Sequence, residues 1–198
     1  DMRFIKHFQP FYLNERKSLI HPEFLNEYNN TDLFYLNRMG ENKGYFTRRY
    51  QFDLSTWLPD QMLSKADRMT MAHSLEARVP FLDHELVEFS TTIPEEMKFS
   101  LIASKIIVRN AANKFFPKKF VERSKHGLAV PLDNMFRNEL KNIMFDIVEN
   151  AKVKIPFINH NYVESIIQNH LKLKNNNGQK ILTLVTLFSW LDKNNYRI

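Results

Sequence analysis

Apolar residues recur at helical spacing along most of the chain. In "PDQMLSKADRMTMAHSLEA", Met62, Leu63, Ala66, Met69, His73 and Leu75 form a stripe with a period of about 3.6 residues. The stripe predicts a helix that Pro59 can open and that ends before Pro80, because the residue preceding a proline disfavours helical backbone. Just upstream, "YFTRRYQFDLSTWL" sets Phe46, Tyr50, Phe52, Leu54 and Trp57 at similar spacing. "DHELVEFSTTI" starts on an acid placed as an N-cap and stops before Pro94. "SLIASKIIVRNAANKFF" is periodic up to Pro117. "PLDNMFRNELKNIMFDIVEN" opens with Pro131 and carries Met135, Phe136, Leu140, Ile143, Met144 and Ile147 on one side. "INHNYVESIIQNHLKL" and "QKILTLVTLFSWLDKN" follow, separated by the turn "NNNG". The first fifty or so residues are rich in Asn and aromatics and weakly periodic, so short helices and connections are expected there. There is no repeat and no clear strand pattern. The fold class predicted by the pattern is mainly α.

One stretch resists this reading. "SLEARVPFLDHEL", from Ser74 to Leu86, places Glu76 and Arg78 directly before the apolar Val79-Pro80-Phe81-Leu82 and the acid Asp83. Charges interleaved with bulky apolar residues predict a rigid, buried turn that locks several helices, with the acids and the guanidinium set around Pro80.

Composition narrows the function classes. The 198 residues, 43% hydrophobic and 25% charged, suit a globular protein of one or two domains. The absence of cysteine excludes disulfides, thiolate zinc sites and cysteine nucleophiles, and fits a cytoplasmic protein. Four glycines leave no glycine-rich phosphate loop. The net charge of +6 is scattered rather than gathered in one stripe, which disfavours nucleic acid as the partner. No apolar run approaches the ~18 residues of a membrane span. The chain begins at Asp1 and is expected to be a piece of something longer or a processed product.

The stretch "LPDQMLSKADRMTMAHSLEARVPFLDHELVEFSTTIPEEMKFS" resembles the synthetase domain of glutamine-hydrolysing asparagine synthetases. The matching letters are Asp67, Arg68, Met69, Met71, Glu76, Arg78, Val79, Pro80, Phe81, Leu82, Asp83, Pro94 and Lys98. "SKIIVRNAANKFFPKKFVERSKHGLAVPL" resembles the family's next block through Lys105, Arg109, Pro117, Arg123, Lys125 and Gly127. The resemblance is firm over about residues 45–145. It implies that residues 1–198 are the helical C-terminal portion of an α/β adenine-nucleotide α-hydrolase-like (ATP pyrophosphatase) synthetase domain. The glutaminase domain and the Ser-Gly-Gly-x-Asp-Ser pyrophosphate loop have no counterpart here, and neither does the later Ser-Gly-x-Gly-x-Asp-Glu loop. "RSKHGL" also departs from the family's usual Arg-Lys-Lys-Gln-Gly-Phe, with Ser124 where a lysine is usual.

The resemblance implies an ATP-dependent carbon–nitrogen ligase. Aspartate is adenylated with release of pyrophosphate, and ammonia from a glutaminase domain attacks the acyl carbon to give asparagine and AMP. ATP and Mg2+ are expected in the full-length parent and not on this chain alone, which is expected to be inactive by itself. Lys125, in a loop between Arg123 and Gly127, is the candidate catalytic cation, because fixed positive charge facing developing negative charge stabilises such a transition state. Its alternative is a solvated loop lysine. Arg78 could bind the substrate carboxylate through its two-pronged guanidinium, or instead pair with Glu76 or Asp83 to hold the turn. Glu76 and Asp83 are read as structural, and Asp67 and Arg68 as a solvated helix face close to the site. Asp60 suits a helix N-terminus. His73 is read as a core histidine and His126 as a loop residue near the cleft. No metal site is predicted on the chain.

Two other readings stay open. The same chassis serves other amide-forming ligases, such as β-lactam synthetases, peptide-cyclising ligases and sugar amidotransferases. The chain could also be a non-catalytic basic helical module. An amphipathic helix must bury its stripe, so exposed apolar surface and self-association, as a homodimer, are expected.

Overall fold

The computed structural model describes residues 9–27, 35, 37–39, 44–100, 102–124 and 130–195. Among the described residues the elements in chain order are helix α1 (Leu13–Leu19), a 3-10 turn (Pro22–Glu27), α2 (Tyr45–Ser55), a π-helical segment (Trp57–Leu63) and α3 (Ser64–Met71). A second 3-10 turn (Pro80–Leu82), α4 (His84–Thr92), α5 (Glu95–Lys98), α6 (Ile106–Ala112) and α7 (Lys118–Val121) follow. The last four helices are α8 (Leu132–Arg137), α9 (Lys141–Lys154), α10 (His160–Leu171) and α11 (Gly178–Lys193). Among the described residues, β structure is limited to the isolated bridges Ile20–Ile158 and Phe99–Ser104. The mainly helical class read from the periodicity is observed.

The chain divides into two units, one formed by Asp1–Asn37 with Ala129–Ile198 and the other by Arg38–Leu128. The main apolar core lies wholly in the first. α11 contributes Ile181, Leu184, Phe188 and Leu191, spaced three and four residues apart so that they share one face. They meet Phe136 of α8, Met144, Val148 and Ala151 of α9, and Val163, Ile166 and Ile167 of α10. Each large side chain buried here contributes about 1.5–3 kcal/mol by its removal from water. α1 is tied on by the amide of Asn159, which donates to the carbonyl of Leu19 at 2.8 Å, and by an ion pair between Glu15 and Lys180.

The element over 131–150 is two helices, not the one that the stripe predicts. The Asn138 amide donates to the Asn134 carbonyl at 3.0 Å and to its side-chain oxygen at 2.8 Å, while Asn138 itself leaves helical backbone at ψ −94°. Side-chain bonds of this kind compete with the helix ladder. The stripe still serves both pieces: Phe136 and Met144 are both core residues.

The second unit is thinner. α2 packs on the π-helical segment, which packs on α3, and α5 packs on α6. α2 is also held to α5 by the Thr47 hydroxyl, which donates to Glu95 at 2.8 Å, and by Phe46 against Phe99 with ring centres 4.1 Å apart. Among its described residues only Met39, Phe52 and Thr56 are buried. Met69, Leu75, Phe81, Phe89, Phe115 and Phe116 are exposed.

Two helices end differently from the sequence expectation. α3 stops at Met71, well before Pro80. Ser74 adopts left-handed backbone at φ 57°, so that its amide donates to Met71 and that of Leu75 to Thr70, five residues back. These paired bonds form a Schellman cap. The helix expected from Ser100 begins only at Ile106, because the preceding chain folds back. The amide of Ser100 donates to the carbonyl of Ala103 at 2.7 Å, and that of Ala103 to the Ser100 hydroxyl at 3.1 Å.

Candidate active site

The motif-bearing segment leaves the cap of α3 over residues 75–79, which form neither helix nor strand, and enters the Pro80–Leu82 turn. Glu76 and Arg78 form an ion pair at 2.8 Å, with side-chain exposures of 70% and 85%. Phe81 is 73% exposed. The expectation of a buried turn is therefore corrected. Within its own unit the turn touches chiefly α4, and Val79 and Phe81, which the interleaved pattern suggested were inside, are exposed while Leu82 is half-buried.

Asp83 is the N-cap of α4. Its carboxylate accepts from the amide of Leu86 at 3.2 Å, using one of the free N–H groups at the helix start. Asp83 and Arg78 thus have separate tasks, and the arginine's partner is Glu76. Asp67 and Arg68 lie exposed on α3. Asp60 falls in the first turn of the π-helical segment. His73 is exposed at the end of α3 and not in a core.

The second block is organised by Arg109 of α6. Its Nη1 donates to the carbonyl of Val121 at 2.7 Å and its Nε to that of Ser104 at 3.2 Å, so one guanidinium clamps the chain before α6 to the end of α7. Lys105 is the N-cap of α6 in left-handed backbone at φ 58°. Arg123 lies over the ring of Phe120, its guanidinium carbon 4.7 Å from the centroid, and Phe120 is tilted against Phe116 at 5.5 Å. Lys125, His126 and Gly127 lie outside the described residues.

Asp53 of α2 escaped the sequence reading. Burial raises its pKa, and the Arg49 charge opposes that shift only in part. Its motif-free surroundings gave no signal. Among the described residues no group of three or more His, Cys, Asp or Glu side chains is arranged to hold a metal ion. The four glycines, Gly40, Gly44, Gly127 and Gly178, make no phosphate-cradling loop.

Residues 2–192 match the family model described as asparagine synthase. Glutamine-hydrolyzing asparagine synthetase 1 of Bacillus subtilis is 32% identical over 157 residues, which cover 75% of this chain and 25% of that protein. A putative glutamine-hydrolyzing asparagine synthetase of Mycobacterium tuberculosis is 39% identical over 90 residues, 46% of this chain and 14% of that protein. A Gibberella zeae protein named amidase chry2 is 29% identical over 115 residues, 54% of this chain and 17% of that protein. The chain spans a quarter or less of the length of these relatives. No solved structure matches it.

Proposed function

The chain belongs to the asparagine synthase family, and from that premise we propose that it is the C-terminal part of the synthetase domain of an enzyme that makes asparagine. The observation that carries the proposal is the family match over residues 2–192. The fold is then the helical part of an α/β adenine-nucleotide α-hydrolase-like domain. The substrates are aspartate, ATP and ammonia released from glutamine by a separate domain. The setting is the cytoplasm; no helix among the described residues is long and apolar enough to cross a membrane.

The reaction has two steps. A carboxylate oxygen of aspartate attacks the α-phosphorus of ATP, and the bond to pyrophosphate breaks. Ammonia then attacks the acyl carbon, AMP departs, and the nitrogen loses a proton. Negative charge grows on the phosphate oxygens in the first step, where a fixed cation is most effective. Lys125 takes that role. Arg78, with its guanidinium held by Glu76 and exposed, binds the aspartate carboxylate. Arg109 ties the chain before α6 to the end of α7, from which the sequence runs on to Arg123 and Lys125. Magnesium and the nucleotide phosphates are held by residues outside this chain.

The test uses pyrophosphate release with ATP, magnesium, aspartate and ammonia. The chain alone is expected to stay at the level of a heat-killed control. In the full-length parent, Lys125→Ala is expected to slow release about a hundredfold or more, equivalent to about 2.7–4 kcal/mol. Lys125→Arg restores part of the rate, since the two cations differ in shape. Thermal melting should barely move. Wild-type rates for Lys125→Ala return the lysine to the solvated-loop reading.

A second reading is another ATP-dependent amide-forming ligase on the same chassis. It draws on the likeness to a protein whose printed name is not that of an asparagine synthetase. Pyrophosphate release that depends on ammonia but is indifferent to aspartate, and responds to a different carboxylate, would favour it.

A further inference from the structure

His170 is the completely buried histidine of the first unit, at the C-terminal end of α10. Both of its ring nitrogens are engaged by backbone. Nδ1 accepts from the amide of Asn177 at 3.1 Å, and Nε2 faces the carbonyl of Asp133 at 3.1 Å. Together the two contacts require the neutral ring with its proton on Nε2. The ring therefore joins three helices: α10, which carries it, α8 through Asp133, and the start of α11 through Asn177.

α8 grips the same turn from outside. The Asp133 carboxylate accepts from the amide of Gly178 at 2.8 Å. One turn further along, Arg137 donates to the carbonyl of His170 at 3.0 Å and to the side-chain oxygen of Asn176 at 2.7 Å. Asn177 anchors the other side, its side-chain amide donating to the carbonyl of Ile166 at 3.0 Å. The turn between α10 and α11 contains strain as well. Leu173 sits in left-handed backbone at φ 58°, a conformation that costs a non-glycine residue about 1–2 kcal/mol.

We propose that the His170–Asp133–Asn177 cluster is a proton-sensitive latch: with His170 neutral it holds the start of α11 against α8 and α10, and protonation of His170 releases the turn over residues 172–177. Adding a proton to Nδ1 converts its acceptor into a donor facing the N–H of Asn177, so that bond is lost. The charged groups that face the ring are Asp133 and Arg137, both from α8. The Asp133 carboxylate, with Oδ1 3.7 Å from Nδ1, is the acceptor to which the new N–H turns, but that oxygen already serves Gly178. The Arg137 charge opposes the imidazolium. Movement of the ring toward Asp133 weakens both bonds that fix the start of α11. Burial, foremost, and Arg137 lower the pKa of His170, while Asp133 opposes them in part. The neutral latch is therefore intact above the free-histidine value of about 6.5 and is lost as pH falls through the lower folded value.

Backbone amide exchange on the whole 198-residue chain tests this. As pH is lowered from 7 through the titration of the His170 ring, after correction for intrinsic exchange, the amides of Asn177 and Gly178 are expected to lose protection at least tenfold more than those of Leu184 and Phe188 in the same helix. His170→Gln and His170→Asn should abolish the pH dependence of that difference. A difference that stays constant with pH in the wild-type chain overturns the proposal, as does a variant that keeps it. If neither variant folds, direct NMR titration of the His170 ring in the wild-type chain decides. The ring shift and the loss of Asn177 protection should share one midpoint, and separate midpoints overturn the latch.

Discussion

Arg78 Nη2 lies 2.8 Å from Oε1 of Glu76, two residues away on the segment that leads into the Pro80–Leu82 turn, and both side chains face solvent. An exposed pair of this kind is worth at most about 1 kcal/mol. Glu76→Gln and Arg78→Ala should therefore each shift the urea midpoint of the chain only slightly. On the proposed function, Arg78→Ala in the full-length parent should instead raise KM for aspartate at least tenfold, by freeing one end of the substrate. A large stability loss in the parent with an unchanged KM would make the pair structural.

Arg109 predicts the opposite balance. Its guanidinium satisfies carbonyls on both sides of α6, and charge-assisted bonds of this kind contribute about 1.5–3 kcal/mol. Arg109→Met should destabilise the second unit by that order and speed amide exchange in α7. Arg109→Lys should recover little, because one ammonium does not match the fork that spans Ser104 and Val121. Unchanged exchange in α7 would show that the clamp carries no load.

The contrast between these two arginines shows what the sequence made legible. Both were marked by position within motif blocks, and helical periodicity found the bodies of α2, α4, α9, α10 and α11. Asp83 was readable as an N-cap because a carboxylate before a periodic run has a local physical task. The exposure of the Val-Pro-Phe-Leu turn was not readable. Pattern reports that a side chain is apolar, whereas burial depends on what packs against it. The left-handed backbone at Ser74 and Leu173 was missed for a related reason: left-handed caps are signalled by glycine, and neither residue is one. The cluster of His170, Asp133, Arg137 and Asn177 joins residues as much as 44 apart in sequence, with no local spacing to announce it.

Leu173 offers a test of cap strain. It is 73% exposed, so replacing it removes little packing. Its left-handed backbone is one that glycine adopts without penalty. Leu173→Gly should stabilise the chain by up to about 1 kcal/mol, the relief of strain being offset in part by greater unfolded-state entropy. Chemical denaturation would read this directly, and a clear loss of stability would mean that the exposed leucine makes contacts elsewhere.

The Glu15–Lys180 pair sets a different acid response from that of His170. Burial alone would raise the pKa of Glu15, but the Lys180 hydrogen bond, the Tyr12 amide and the Lys180 charge together bring it below its ordinary value of 4.5. A lowered carboxylate pKa means that the unfolded chain binds the proton first as pH falls. The stabilisation is complete above the ordinary value and disappears as pH drops through the folded one. Lys180→Met should flatten the acid slope of the urea midpoint in that window. A slope as steep as in the wild-type chain would assign the acid sensitivity to other carboxylates.

Gly178 and Gly44 separate a glycine needed for space from one that is not. A Cβ on Gly178 would come within 2.7 Å of the Asp133 carboxylate, 2.8 Å of the Asp133 backbone nitrogen and 2.9 Å of the Leu132 carbonyl carbon. Two of these three atoms are backbone, so the start of α11 cannot keep its place beside α8. Gly178→Ala should cost about 1–3 kcal/mol, the usual penalty for overpacking, and should also disturb the bond from the Gly178 amide to Asp133. On Gly44 the same Cβ would meet only the carboxylate end of Glu95, nearest at 3.3 Å, which a flexible side chain can yield. Gly44 is the N-cap of α2 and has no side-chain bond to lose, so Gly44→Ala should cost less than about 1 kcal/mol. Parallel urea denaturation of the two variants decides the matter. Equal losses would mean that the α8–α11 junction can spread by a few tenths of an ångström, and that the close approach of the two helices is not what requires glycine at 178.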